Sequence, residues 1–232
     1  MDIAIVGYGA MGKIIERIAK ERGHFVKTFD TQCKADYCEI KEETMKDIDV
    51  AIDFTHPSAA VENIKKYCKI KVNTVVGTTG WYDKLEEMKK EVKKSNIGFI
   101  YSPNFSVGVN MFFRLTKEIS RMMDNFEEYK VTMSEAHHTR KKDAPSGTAK
   151  LLAEIIKENV KRIDEIDIKS IREGDIPGTH TINFESKADI IKLEHEAKNR
   201  EGFGLGAVMA AEWIKDKKGF FTIEDFMKEI IK

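Results

Sequence analysis

One short segment, EAHHTRKKDAPSGTA, combines two adjacent histidines with three cationic side chains. His137 and His138 are followed by Arg140, Lys141 and Lys142. Imidazole titrates close to neutral pH, at about 6.5, so His137 is suited to act as a general acid. Lys141 can supply a proton or a fixed positive charge. The segment therefore predicts a site that binds an anion and protonates it.

The end of this segment adds a second anion-binding feature. Ser146, Gly147 and Thr148 lie where the next helix is predicted to begin, and free N–H groups at a helix N-terminus bind carboxylates. No metal is predicted here, because the histidines are adjacent in a predicted polar loop over 137–145, lack a neighbouring cysteine and are surrounded by cations. The alternative is a basic loop that is only solvated.

A glycine-rich loop follows the first buried strand. Residues 7–12 read GYGAMG, a G-x-G-x-x-G pattern between a strand and a helix, which is the context of a dinucleotide-binding loop. Such a loop brings backbone N–H groups and a helix N-terminus against a pyrophosphate. Asp30 ends the second strand, where a carboxylate binds the ribose diol and repels a 2′-phosphate, so it favours NADH over NADPH. The alternative is a glycine-rich turn in an ordinary α/β unit.

Two further polar loops follow buried strands. They read DFTH at 53–56 and GTTG at 77–80. Open α/β sheets bind ligands at the carboxyl ends of their strands, so these loops are candidates for holding the nicotinamide end of a dinucleotide. The alternative is that they are ordinary polar turns.

The elements that must position these residues fall into two groups. The first half alternates strands with helices and predicts an open parallel sheet with helices on both faces. Its predicted strands cover residues 3–6, 24–29, 50–54, 72–76 and 97–101. The second half predicts an α+β arrangement, with helices over 107–123 and 146–160, a strand over 129–135 and two or three strands between 166 and 194. The last two helices, over 205–216 and 222–231, are expected to return to the first domain.

The composition excludes several classes of protein. Hydrophobic residues make up 41% of the 232 residues, enough for a core, and no apolar run reaches the roughly 20 residues of a membrane span. The 39 basic and 39 acidic residues cancel, so no global charge attracts nucleic acid or a membrane surface. Cys33, Cys38 and Cys68 form no CxxC pair and are expected to be reduced thiols of a cytoplasmic protein. The N-terminus lacks the basic region of a signal peptide, which agrees with that location.

These motifs resemble the 4-hydroxy-tetrahydrodipicolinate reductase (dihydrodipicolinate reductase) family over essentially the whole chain. The most specific are NFSVGVN at 104–110 and the HH…K…DAPSGTA block, followed in order by GTHT at 178–181 and HEA at 195–197. The resemblance implies a Rossmann-like domain, 1–104 plus 205–232, and an α+β mixed-sheet domain, 105–204, for substrate binding and oligomerisation. It also implies a homotetramer.

The activity that the resemblance implies is reduction of a small cyclic dicarboxylate by NADH or NADPH. The substrate would be 4-hydroxy-tetrahydrodipicolinate and the product tetrahydrodipicolinate, in the diaminopimelate route to lysine. The implied proton donor is His137 and the second catalytic residue is Lys141, while His138, Gly147 and Thr148 match substrate-binding positions. The implied cofactor-binding positions are Gly7, Tyr8, Gly9, Ala10, Met11, Gly12, Asp30, Gly77, Thr78, Thr79, Ser102, Pro103, Asn104 and Phe105.

The chain departs from the family's pattern at three places, and two other functions stay open. The glycine loop is one residue shorter than usual, and Thr139 and Glu196 replace basic residues, so those secondary contacts are not carried over. One alternative is another NAD(P)-dependent dehydrogenase of amino-acid metabolism. A semialdehyde dehydrogenase needs a catalytic cysteine, and none follows Cys68. The other is a non-catalytic NAD(H) sensor, which would have no need of His137 or Lys141.

Overall fold

The computed structural model describes residues 1–32 and 34–231, which form two compact units. The first comprises Met1–Val107 and Glu201–Lys232, and the second comprises Gly108–Arg200. In chain order the elements are β1 (Asp2–Val6), α1 (Ala10–Glu21), β2 (Phe25–Phe29), β3 (Val50–Asp53), α2 (Pro57–Ile70), β4 (Asn73–Val76), a 3₁₀ turn (Tyr82–Lys84), α3 (Leu85–Ser95), β5 (Gly98–Tyr101), α4 (Val107–Met123), β6 (Lys130–His137), α5 (Gly147–Asn159), β7 (Ile168–Arg172), β8 (Thr179–Glu185), β9 (Ile190–Glu196), α6 (Glu201–Ile214), β10 (Gly219–Thr222) and α7 (Ile223–Ile230).

The first unit is a six-stranded parallel sheet with the strand order β10-β5-β4-β3-β1-β2. Strands β3 and β4 are buried along their whole length, because helices cover both faces of a parallel sheet. This confirms the predicted Rossmann-like fold. Strand β10 was not predicted: its four residues carry little signal alone and form a strand by pairing with β5.

The second unit is a four-stranded mixed sheet with the order β7-β6-β8-β9. One face of β6 and β8 packs against α4 and α5, which explains the alternating burial of both strands. The core contains Phe112, Leu152, Ile156, Ile182 and Phe184. This agrees with the predicted α+β arrangement and supplies three strands in the region where two or three were expected.

Two expectations about local structure were wrong. His137 is the last residue of β6 rather than part of a loop, because pairing with β7 and β8 extends the strand beyond its apolar residues. Cys68 is a free buried thiol as expected, but Cys38 is disulfide-bonded. An isolated β-bridge between Phe29 and Tyr37 folds the segment after β2 back on itself. The spacing of the cysteines in the sequence does not reveal this fold of the chain. Cys33 lies outside the described residues.

In the described part of the chain, no helix combines the length and the apolar character needed to cross a bilayer.

Candidate active site

The predicted cofactor positions of the first unit lie on the loops that follow β1, β2, β4 and β5, at the carboxyl edge of the sheet. Gly7 has φ of +91°, and a Cβ there would lie 2.4 Å from the carbonyl oxygen of Phe54. Gly9 precedes the first turn of α1, and a Cβ there would meet no protein atom within 4 Å. Packing therefore requires glycine at position 7, whereas the space in front of Gly9 is open to a ligand. Met11 and Gly12 lie inside the first turn of α1.

The carboxylate of Asp30 lies directly beside the glycine loop. It accepts hydrogen bonds from the backbone N–H of Tyr8 at 3.0 Å and of Gln32 at 2.8 Å. The Tyr8 hydroxyl donates to Glu16, and this bond helps to raise the pKa of Tyr8 to about 12. A cavity of about 540 Å³ opens here, and it is lined by Tyr8, Gly9, Ala10, Lys13, Asp30, Gln32 and Lys34.

Asp53 joins the loops after β3 and β4. Its buried carboxylate accepts hydrogen bonds from the hydroxyls of Thr55 at 2.7 Å and Thr78 at 3.0 Å. It also accepts bonds from the Asn63 amide at 3.0 Å and the Tyr67 hydroxyl at 2.8 Å. Sequence analysis did not assign Asp53 a role of its own. The carboxylate positions the segment that contains Gly77, Thr78 and Thr79.

The loop after β5 is held by its own polar groups. The Ser102 hydroxyl donates to the carbonyl oxygen of Asn104 at 2.7 Å and accepts from the Asn104 N–H at 3.0 Å. Pro103 is exposed, and Phe105 is buried with its ring centroid 6.2 Å from that of Phe54. The predicted cofactor residues of this loop therefore face the same sheet edge as those after β4.

In the second unit, sheet register brings four charged or titratable side chains together. Glu135 and His137 lie two residues apart on β6, so both point to its buried face. Glu135 is opposite His180 of β8, and His137 is opposite Arg172 of β7. His137 Nδ1 lies 2.9 Å from Glu135 Oε2, although without the angles of a hydrogen bond. The imidazole rings of His137 and His180 meet edge to face, with centroids 5.2 Å apart.

Glu135 is a fixed negative charge at the centre of this cluster. Burial favours its neutral form, but hydrogen bonds from Ser146 and Arg172 outweigh burial and lower its pKa to about 2. The Ser146 N–H donates to Oε1 at 3.1 Å, and the Arg172 guanidinium donates to the same oxygen at 2.7 Å. The carboxylate is therefore ionised at every pH at which the protein is expected to work.

The two histidines beside Glu135 have different electrostatic surroundings. Burial lowers the pKa of His137; Glu135 opposes this effect, whereas Lys141 and Arg172 add to it. Burial and the neighbouring His137 lower the pKa of His180 to about 4, so His180 is neutral at neutral pH. Lys141 Nζ is 2.8 Å from the carboxylate of Asp143, in the loop that follows His137. The structure thus places each predicted catalytic residue beside a carboxylate, His137 beside Glu135 and Lys141 beside Asp143, and brings Lys141 close enough to affect the pKa of His137.

Two of the three predicted substrate-binding residues, Gly147 and Thr148, lie in the first turn of α5. The Ser146 hydroxyl caps this helix by accepting a hydrogen bond from the Ala149 N–H at 3.2 Å. Gly147 is exposed, and a Cβ there would meet no protein atom within 4 Å. Thr148 is half-buried in the first turn, and the His138 N–H is bonded to the Ile176 carbonyl oxygen at 2.8 Å. The open helix N-terminus can accept a carboxylate.

Donor atoms of Glu135, His137 and His180 lie within 4.8 Å of one another, a spacing that also occurs around metal ions. One oxygen of Glu135 is already bonded to the Arg172 guanidinium, and Lys141 adds a second cation beside His137. These positive charges oppose a divalent cation, so the residues suit proton transfer better than metal binding.

Glu135, Arg172 and His180 were not predicted as site residues from the sequence. The signal for Glu135 was present, because period-two alternation places it on the same strand face as His137 and Met133. Arg172 and His180 join the site through strand register, which sequence does not specify without the partner strands. The departures Thr139 and Glu196 are both exposed.

Comparison with known proteins supports the family resemblance along the whole chain. The model of the dihydrodipicolinate reductase N-terminus matches residues 1–105, and that of the C-terminus matches residues 108–227. The 4-hydroxy-tetrahydrodipicolinate reductase of Christiangramia forsetii is 44% identical and covers 100% of both chains. The enzyme of the same name from Archaeoglobus fulgidus is 36% identical over 98% of this chain and 100% of its own.

A solved structure shows the same fold. It is a dipicolinate-bound dihydrodipicolinate reductase from Paenisporosarcina sp. TG-14, with a TM-score of 0.81, 21% identity and coverage of 96% of this chain and 97% of its own. A mutant meso-dapdh from Clostridium tetani has a TM-score of 0.55 at 14% identity, over 97% of this chain and 94% of its own. Full-length identity above one third and two matching family models allow one conclusion: the chain belongs to the dihydrodipicolinate reductase family of oxidoreductases.

Proposed function

We propose that this chain reduces 4-hydroxy-tetrahydrodipicolinate to tetrahydrodipicolinate with NADH or NADPH, in the diaminopimelate route to lysine. The observation that carries the proposal is the position of His137. This titratable side chain lies 2.9 Å from an ionised carboxylate, and Ser146 links that carboxylate to the open N-terminus of α5. The curated relatives bear the name of this activity, and the Paenisporosarcina neighbour binds dipicolinate, a cyclic dicarboxylate.

The residues of the first unit fit a dinucleotide. Gly9 leaves room for backbone N–H groups and the start of α1 to approach phosphate, and Asp30 projects into the adjacent cavity. Gly7–Gly12, Asp30, Gly77–Thr79 and Ser102–Phe105 would hold the cofactor, which supplies a hydride when bound. The carboxylate of Asp30 favours NADH, since it repels a 2′-phosphate. Lys13 and Lys34 line the same cavity and moderate that preference.

The second unit supplies the charges and the proton. The substrate carboxylates bind to the free N–H groups of Gly147 and Thr148 and to the side chains of His138 and Lys141. Such charge-assisted hydrogen bonds are about twice as strong as neutral ones. The substrate first loses its 4-hydroxyl group as water, which leaves a ring with one more double bond. The hydride that a bound cofactor would supply then adds to a ring carbon, and His137 donates the proton that neutralises the negative charge left on the ring. Lys141 holds positive charge beside that proton donor.

We also propose a cytoplasmic homotetramer assembled through the second unit. Strand β9 is an edge strand of its sheet, with Ile190 56% and Ile191 40% exposed. An exposed apolar edge strand is a template for pairing with another chain. Light scattering tests the assembly: the mass should be four times that of one chain, and Ile190→Lys should reduce it.

The proposed location follows from the proposed reaction, because the cytoplasm contains the pool of reduced nicotinamide cofactor that the reaction needs.

The test is a coupled assay in which dihydrodipicolinate synthase generates the unstable substrate and oxidation of NADH or NADPH is followed by absorbance. Oxidation that depends on the synthase is the expected result. His137→Gln should lower kcat by about 10²- to 10⁴-fold while the affinity for cofactor stays unchanged. His24→Gln is the matched control and should retain the activity, because His24 precedes β2 at the opposite edge of the sheet, where its side chain pairs with Glu212 at 2.8 Å. Cofactor binding without oxidation would overturn the proposal in favour of another dehydrogenase or a sensor.

A further inference from the structure

Six of the eight buried side-chain atoms that lack a hydrogen-bond partner in the described part of the chain belong to β6, β7, β8 or the residue directly after β6. They are Glu135 Oε2, His137 Nδ1, His138 Nδ1, Ser170 Oγ, Arg172 Nε and His180 Nδ1. Buried polar atoms are usually paired, so their concentration at one place needs an explanation. Proton transfer is one explanation, because a group that gains and loses a proton during a reaction cannot keep a permanent hydrogen bond at every polar atom.

We propose that Glu135 is a positioning residue for the reduction: it keeps a proton on Nδ1 of His137, so that Nε2 delivers the proton to the substrate. This inference rests on the proposed role of His137 as the proton donor. Glu135 Oε2 lies 2.9 Å from His137 Nδ1, whereas His180 Nε2 is 4.0 Å from the same oxygen.

The carboxylate can do this because its other oxygen is immobilised. Oε1 accepts hydrogen bonds from the Ser146 N–H and from the Arg172 guanidinium, while Arg172 also bonds the carbonyl oxygen of Asp143 at 2.6 Å. Oε2 is thereby held towards His137 as an unprotonated acceptor. A side chain fixed in this way selects one tautomer of a neighbouring imidazole.

Gly178 lies beside Nε2, the other ring nitrogen of His137. A Cβ at Gly178 would lie 3.0 Å from His137 Nε2, in a backbone conformation with φ of +155°. Glycine at this position therefore leaves Nε2 accessible. His180 packs edge to face against the ring and is bonded to the Ser146 hydroxyl at 3.2 Å, which limits rotation of His137.

The charged groups around His137 determine the pH at which it loses its proton. Glu135 on β6 and Asp143 in the following loop favour the imidazolium, whereas Lys141 in that loop and Arg172 on β7 disfavour it. His180 on β8 stays neutral. Glu135 is the nearer of the two anions, so removing its charge should lower the pKa of His137.

The experiment measures kcat of the intact protein against pH for Glu135→Gln, which retains an acceptor for Ser146 and Arg172. The pH above which kcat falls should shift down by about one unit, because an opposite charge within hydrogen-bond reach typically shifts a pKa by 1–3 units. At pH 7, kcat should fall about tenfold, with both KM values changed less than twofold. Glu194→Gln, an exposed carboxylate paired with Lys192 on β9, is the control and should keep the wild-type profile. A wild-type profile for Glu135→Gln would overturn the inference.

Two further measurements separate this inference from the proposed function and from a failure to fold. In His137→Gln, adding Glu135→Gln should change kcat no further. If the two residues had independent roles, the fold-losses of kcat in the two single variants would multiply in the double variant. If His137→Gln retains full activity, the proposed proton donor is wrong; if only Glu135→Gln is without effect, the positioning role alone is wrong. Nitrogen NMR of the wild-type protein requires no variant: neutral His137 should carry its proton on Nδ1, and a proton on Nε2 would overturn the inference.

Discussion

The hydroxyl of Tyr67 donates a 2.8 Å hydrogen bond to the carboxylate of Asp53, and both side chains are fully buried. Tyr67 lies on α2 and Asp53 at the end of β3, so this contact ties a helix to the loops at the carboxyl edge of the sheet. Burial and the nearby carboxylate raise the pKa of Tyr67 well above its usual range, so it remains a donor.

Tyr67→Phe should therefore destabilise the first unit. Loss of one hydrogen bond to a buried carboxylate lowers the free energy of unfolding by about 1.5–3 kcal/mol, measurable by urea denaturation. The matched control is Tyr37→Phe, because the Tyr37 ring stacks on Phe29 at 5.0 Å and this contact does not need the hydroxyl. Equal stability of both variants would show that the Tyr67 hydroxyl contributes nothing to Asp53.

A pair of alanine substitutions should separate packing from ligand binding in the glycine loop. Gly9→Ala meets no protein atom and should fold with wild-type stability, yet reduce NADH affinity by about tenfold, a loss of about 1.4 kcal/mol. Gly7→Ala forces a side chain into a positive φ and against Phe54, and strained backbone alone costs about 1–3 kcal/mol. Thermal unfolding and calorimetric titration measure the two effects. Unchanged NADH affinity in Gly9→Ala would place the phosphates elsewhere.

His180 should make the protein sensitive to acid between pH 6.5 and 4. Its folded-state pKa of about 4 lies below the ordinary 6.5, so the unfolded chain binds a proton first as the pH falls. Stability present above pH 6.5 is then lost towards pH 4, by about 3 kcal/mol for this group. His180→Gln should flatten the curve of unfolding free energy against pH in that range. His137 and His195 also have lowered pKa values and add a slope that the variant keeps, so parallel curves would contradict the prediction.

Asp30→Ala should change the choice of cofactor. The substitution removes the carboxylate that favours a ribose diol, so kcat/KM for NADH should fall about tenfold, while kcat/KM for NADPH should rise or hold. Lys13 and Lys34, which line the same cavity, are then free to attract a 2′-phosphate. Steady-state assays with each cofactor measure the ratio. A uniform loss with both cofactors would instead show that Asp30 acts only on the Tyr8 and Gln32 backbone.

The predictable part of the fold follows from local patterns. Short apolar runs indicated β1 and most of β3, because strands covered on both faces are rich in apolar residues. Glycine at 7, 9 and 12 between a strand and a helix indicated the dinucleotide loop. Strand β10 was missed because four residues that pair at a sheet edge carry no period of their own.

The candidate site divides in the same way. The sequence by itself determined the chemistry: adjacent histidines, clustered cations and a capped helix start are visible within fifteen residues, and they carry the family resemblance. Tertiary structure alone decided the electrostatics. Register between β6, β7 and β8 places Arg172 and His180 around Glu135 and His137, although Arg172 is 35 positions beyond His137. Strand pairing depends on contacts between distant segments, so the pKa of His137 is a property of the folded sheet and not of the motif.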